Sequence, residues 1–168
     1  MQIDSNHATY FSGYRLEKHS FSYEDKISTD YIKLCIAIEA AIKNALYLGY
    51  RTFLCGMSRG LDLLGAQAVM RIRQEQNNIQ LISVLPYKNH SFSDEWGKIH
   101  SQVRKSADWE VITSPYDDYT NDCFHLRNCF LIENSTHIIC FWDGQNGVTA
   151  ETLRMAQKNG HSIYNLCW

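Results

Sequence analysis

The sequence predicts an α/β domain: a single Rossmann-like, doubly wound, mainly parallel sheet of about six strands with helices on both faces. Three observations predict it. Apolar runs of strand length alternate strictly with longer segments of helical period, the signature of successive βαβ units. The runs FLC at 53–55, LISVL at 81–85 and IICFW at 138–142 do not alternate polar with apolar, as strands covered on both faces require. The chain has 168 residues, the size of one domain; roughly 70% of the unfolded surface is then buried on folding, enough for a core without metal or disulfide staples.

The elements follow in order. ATYFSG from Ala8 is the first strand. A helix from about Thr29 carries Tyr31, Leu34, Cys35, Ile38, Ile42 and Ala45 on one stripe, with Ser28, Thr29 or Asp30 as its cap and Gly49 at its far end. TFLCG from Thr52 is the second strand and a helix starts near Leu61. IQLISVLP from Ile79 precedes a helix near 94–106, and WEVITS from Trp109 precedes one near 122–134. HIICFWDG from His137, a helix from about Thr149 and SIYNLC from Ser162 complete the series. The connections at 17–26, 87–93 and 114–121 leave strand or helix ends and are candidate lids or ligand loops.

Bulk properties narrow the partners. Net charge is -2 and Lys and Arg are spread along the chain, so the basic stripe that grips a phosphate backbone is missing and nucleic acid is not the expected partner. The six cysteines sit mostly in apolar segments with no C-x-x-C pair, which favours a reducing compartment. No basic-then-apolar leader opens MQIDSNHATYFSGYR and no apolar run approaches the twenty or so residues of a membrane span, so the expectation is a cytosolic protein without membrane contact. Small domains of this class pair through outer helices, and a homo-oligomer is expected.

In an open parallel sheet, ligands bind beyond the carboxyl ends of the strands, where helix first turns present free N–H groups and a positive dipole end. Three loops fit. The first, 12–15, is a small-residue turn with Ser12 and Gly13, and Arg15 adds a cation. The second, 56–62, offers Gly56 and Gly60 for close approach, Met57, Ser58 and Arg59 between them, and Asp62 in the first helical turn. The third, 143–152, has Asp143, Gly144, Gly147 and Val148 before Thr149 and Thr152. Together they are expected to form one anion-binding crevice, while each alone is also what turn geometry asks of a strand-to-helix connection.

SGYR, GMSRGLD, LPY with Pro86 followed by Trp96, Arg127 with Asn128, and DGQNGVTAET occur in an order that resembles the YpsA-like proteins of the SLOG superfamily, which also includes the Smf/DprA DNA-processing proteins and the LOG phosphoribohydrolases. The resemblance runs from about Ala8 onward. It implies a Rossmann-like fold whose glycine loops bind a nucleotide or nucleotide-derived small molecule; separately, no cofactor or metal is expected. The chain departs from the family in three places. YpsA-like members commonly read T-G-H-R-P in the first loop, where Tyr14 here removes an imidazole. Relatives often have G-G-T where Gly147, Val148 and Thr149 stand, which makes close backbone approach at Val148 harder. The P-G-G of the LOG enzymes is replaced by Trp142, Asp143 and Gly144.

The LOG pattern, allowing a one-residue insertion, puts Arg127 and Glu151 in the places of its arginine and glutamate. Cleaving a base from ribose 5'-phosphate builds positive charge on the sugar, so Glu151 would stabilise it and activate water while Arg127 grips phosphate. The plainer reading makes Glu151 a solvated first-turn carboxylate and Arg127 a surface or ion-pairing side chain. The preferred expectation is binding or sensing without turnover: phosphate on the Gly56 and Gly147 loops, charge from Arg15 and Arg59, and Asp62 or Thr149 on sugar or phosphate. A DprA-like role in holding single-stranded DNA ranks third on charge.

Other residues read as structural. Cys123, His125 and Cys129 look like metal ligands but lack a fourth at a recognisable spacing. His90 and His100 read as surface histidines, Asp117 and Asp118 as a solvated loop, and Trp96 either stacks on a base or plugs the sheet edge.

Overall fold

The computed structural model describes residues 2–13 and 25–167. The strands are β1 (Ala8–Gly13), β2 (Thr52–Cys55), β3 (Gln80–Leu85), β4 (Trp109–Ile112), β5 (His137–Phe141) and β6 (Ser162–Asn165). Between them run α1 (Thr29–Tyr47), α2 (Leu61–Ile72), α3 (Glu95–Ser106), α4 (Cys123–Glu133) and α5 (Val148–Lys158). A short 3-10 turn at Ser5–His7, which periodicity does not foretell, leads into β1.

All six strands are parallel in the order β4-β3-β2-β1-β5-β6. The chain steps outward from β1 to β4, then crosses back to lay β5 on the other side of β1, with Gly13 opposite Phe141. The winding direction therefore reverses between β1 and β5, and the crevice of an open α/β sheet falls at such a point.

Strand alternation builds two cores. Phe11, Phe53, Cys55, Leu81, Leu85, Ile139 and Phe141 face α1, α2 and α3, while Tyr10, Leu54, Ile82, Val84, Ile138 and Cys140 face the α4 and α5 side. This is why the central strands read as unbroken apolar runs: neighbouring residues enter different cores, and both cores are apolar. The edge strands β4 and β6 are half-exposed.

The first helix follows its sequence closely. Ser28 caps α1 by accepting the Tyr31 amide at 3.2 Å. Leu34, Ile38, Ala41, Ile42, Ala45 and Leu46 form its buried stripe.

Trp96 is buried in the α1–α2–α3 core, which answers the choice left open by the sequence. The histidine expectation is corrected. His90 and His100 are buried, with Nδ1 of one 3.1 Å from Nε2 of the other, and Tyr87 and Phe92 pack against His90 at ring distances of 5.2 and 5.0 Å. The cause is the loop after β3, which folds back onto α3; the Asn89 amide donates to the Asp117 carbonyl and Asn89 Nδ2 to Asp118 Oδ1, tying it to the loop after β4.

Candidate functional site at the head of the sheet

Three adjacent strands, β2, β1 and β5, send their exits to one mouth. At the end of β1, Gly13 lies against the first turn of α2: a Cβ there would stand 2.9 Å from Leu61 Cβ, so any other residue would push the helix away. Helix α2 begins at Gly60 and α5 at Gly147, and neither residue supplies a side-chain cap. The first-turn amides of both helices therefore have no side-chain cap among the described residues, and the positive ends of both dipoles stand beside the mouth.

Arg127 of α4 lies behind that mouth, buried. Its Nη1 donates to the Gly56 carbonyl and to Ser58 Oγ, both at 2.7 Å, while Nε and Nη2 donate to Asn128 Oδ1 at 3.3 and 3.1 Å. A guanidinium has five N–H groups, so one Nη2 hydrogen has no acceptor among the described residues. Asp62 is buried alongside and its Oδ2 accepts the Ser58 amide at 3.1 Å. Burial pushes its carboxyl up to about 6, against the pull of the Arg127 charge and of Ser58. The same burial lowers the Arg127 guanidinium, partly offset by Asp62.

A crevice of about 70 Å³ opens in front of this pair, lined by Tyr10, Phe11, Ser12, Gly13, Ser58, Arg59, Asp62, Arg127, Asn128, Leu131, Val148, Thr149 and Thr152. It admits a phosphate- or sugar-sized group; pockets that engulf a whole drug-sized ligand start at roughly 300 Å³.

The residues singled out in the sequence fall into three groups. Ser12, Gly13, Ser58, Arg59, Asp62, Arg127, Asn128, Val148, Thr149 and Thr152 line the crevice. Gly56, Met57, Gly60 and Gly147 are not among the lining residues. The open side of Gly56 is filled by the protein itself, since a Cβ there would meet Asp62 Oδ2 at 2.8 Å and Arg127 Nε at 3.4 Å. Met57 is buried in a left-handed conformation, φ 62°, with its sulfur accepting from Cys55 Sγ at 3.6 Å. Such backbone in a bulky residue persists only where its surroundings impose it.

The third group stands apart. Pro86 is buried beyond β3 and does not line the crevice, and Asp143 and Gly144 are exposed, with Asp143 Oδ1 accepting the Gln145 amide at 3.0 Å. Glu151 is exposed in the first turn of α5 and is not part of the lining, so the crevice holds Arg127 without Glu151. Arg15 lies outside the described residues. Arg59 is already engaged, 2.7 Å from Asp94 and 4.0 Å over the Phe92 ring.

His125 Nε2 lies 3.5 Å from Cys129 Sγ, and among the described residues no three His, Cys, Asp or Glu side chains gather as a metal site would need. Sequence reading missed Tyr10, Phe11 and Leu131. Tyr10 sits mid-strand, where an aromatic reads as plain core, and only the placement of α4 and α5 makes it part of a wall.

These features define a Rossmann-like α/β domain with a small crevice at its topological switch point. The family model described as the YspA SLOG family matches residues 9–166, and the chain belongs to that family. Among solved structures, DNA processing protein A (DprA) from Streptococcus pneumoniae superposes with a TM-score of 0.59 at 13% identity, over 95% of this chain and 50% of that one. The likeness is one of fold, and the chain spans about half the length of that protein. No curated protein sequence matches significantly. No helix among the described residues is long and apolar enough to cross a membrane.

Proposed function

We propose that the chain binds a nucleotide-derived small molecule, with the negatively charged end held between the first turns of α2 and α5 and the remainder lying over the rim. The observation that carries this reading is the buried Arg127, bonded to Gly56, Ser58 and Asn128, with one N–H that has no acceptor among the described residues, near two helix starts without a side-chain cap. A positive charge kept this deep is costly, and a site that receives an anion recovers part of that cost. Membership of the SLOG family supports a nucleotide-related ligand. Binding, as in a sensor, needs no general base, and Glu151, the residue proposed for turnover, stands outside the crevice.

The test is thermal unfolding across nucleoside mono-, di- and triphosphates, ADP-ribose derivatives and cyclic dinucleotides. A ligand at one hundred times its Kd adds about 2.7 kcal/mol of stability. The expected result is a rise in Tm for one chemical group of the panel, abolished in Arg127→Gln after that variant is shown to fold; a flat response over the panel overturns the reading. Single-stranded DNA forms a further arm: binding that falls steeply with salt would favour a phosphate-backbone role instead.

A further inference from the structure

We propose that the Tyr10 hydroxyl and the Asp62 carboxyl form a subsite for a sugar hydroxyl at the inner end of the crevice, an assignment that rests on the ligand-binding reading above. Tyr10 is 1% exposed and belongs to the crevice wall, yet its hydroxyl is the one buried side-chain nitrogen or oxygen among the described residues that has no hydrogen-bond partner. Folded proteins leave few such groups, because each forfeits its bonds to water for nothing in return. The ring itself has ample reason to be there, packed with Leu54, Ile82, Leu131 and Ile138. Phenylalanine would fill that space without the penalty, so the oxygen calls for an explanation that packing does not supply.

The chemistry of the missing partner follows from what faces the phenol. Burial is the largest cause that pushes the Tyr10 hydroxyl up, followed by the Cys140 thiol and then the Asp62 carboxylate, and of these two neighbours only Asp62 lines the crevice with Tyr10. No hydrogen bond joins the two and both line the crevice, so a group that enters it to meet them must suit both. A phosphate oxygen would accept from Tyr10 but face the carboxylate with like charge. A hydroxyl donates to the carboxylate and accepts from the phenol, and it carries no charge of its own. Arg127 offsets part of the Asp62 charge. A ribose therefore seats its hydroxyl inside, and its phosphate stays at the outer, helix-facing end.

Tyr10→Phe deletes that single oxygen. Wild type and variant are titrated by calorimetry with ribose 5-phosphate, adenosine monophosphate and inorganic phosphate, and each free protein is unfolded in urea. The subsite requires roughly tenfold weaker binding of the two ribose-bearing probes by the variant, the size of one net hydrogen bond. It also requires unchanged affinity for inorganic phosphate and a urea midpoint no lower than wild type, since no protein bond is lost. Equal binding of the ribose probes by both proteins overturns the subsite and leaves the ligand-binding reading intact. A lowered midpoint with affinities kept also overturns it, by assigning the hydroxyl to the free fold. Wild-type protein that answers to no member of the nucleotide panel removes the reading and the subsite together.

Discussion

Arg127 Nη1 stands 2.7 Å from the Gly56 carbonyl, joining α4 to the turn after β2 across 71 positions of sequence. The bond fixes the turn that carries Ser58 and Asp62, so the back of the crevice is set by a residue from the other half of the chain. Removing one partner of a buried charged network leaves the others desolvated and unpaired. Arg127→Ala is expected to lower unfolding stability by about 3 kcal/mol, measured by urea denaturation. A loss well under 1 kcal/mol would show that the guanidinium is not part of the packed interior.

Gly56 is expected to tolerate no side chain. A Cβ would press on Asp62 Oδ2 at 2.8 Å and on Leu131 Cδ1 at 3.2 Å, and the carboxylate cannot retreat without losing the Ser58 amide. Gly56→Ala should cost on the order of 1–3 kcal/mol through overpacking and should blunt the thermal response to nucleotides. An unaltered Tm in this variant would contradict the tight packing described.

Stability should fall as pH drops below about 6.5. Burial is the first cause lowering His90 to about 3 and His100 and His137 to about 4, and it lowers His161 as well. For a histidine with a depressed folded value, the unfolded chain takes up the proton first, so protonation favours unfolding between the folded value and about 6.5. Asp62 acts in the opposite sense: its folded value near 6 exceeds the ordinary 3.8, so the folded state gains relative stability as pH falls from 6 toward 4. Four histidines outnumber one aspartate, and the net slope is acid-destabilising. Urea midpoints at pH 7 and pH 5 should differ in that direction, with the difference reduced in His90→Gln. A midpoint higher at pH 5 would reverse the ranking.

Ser28→Ala should cost about 1 kcal/mol by freeing the Tyr31 amide at the start of α1. Ser28 does not line the crevice, so nucleotide affinity should remain as in wild type. A variant that unfolds at the wild-type urea midpoint would show that the cap contributes nothing.

The order of elements was legible because each signal is local. Ser28 announces α1, Gly60 and Gly147 announce α2 and α5, and uninterrupted apolar runs mark strands buried on both sides. The loops of the mouth were legible for the same reason. What a linear reading lacks is the direction of a side chain once helices are docked. His90 and His100 occupy a polar stretch, and their burial depends on a loop folding back over α3. Arg127 reads equally well as a surface cation, and its burial follows from α4 passing behind the turn after β2. Tyr10 is one aromatic among many in strands, and what sets it apart is an unmet hydrogen bond, which no spacing encodes.

The central position of β1 shapes how the chain is made as well as what it holds. Thr9 Oγ1 and His137 Nδ1 meet at 2.8 Å across 128 positions, and Gly13 pairs with Phe141. A nascent chain leaving the ribosome therefore carries β1 with one flank bare until β5 has been synthesised. At roughly 5–20 residues per second this interval lasts several seconds or more. Over that time its unsatisfied amides and carbonyls are open to mispairing, so the vulnerable period for aggregation runs until β5, residues 137–141 of the 168, has appeared.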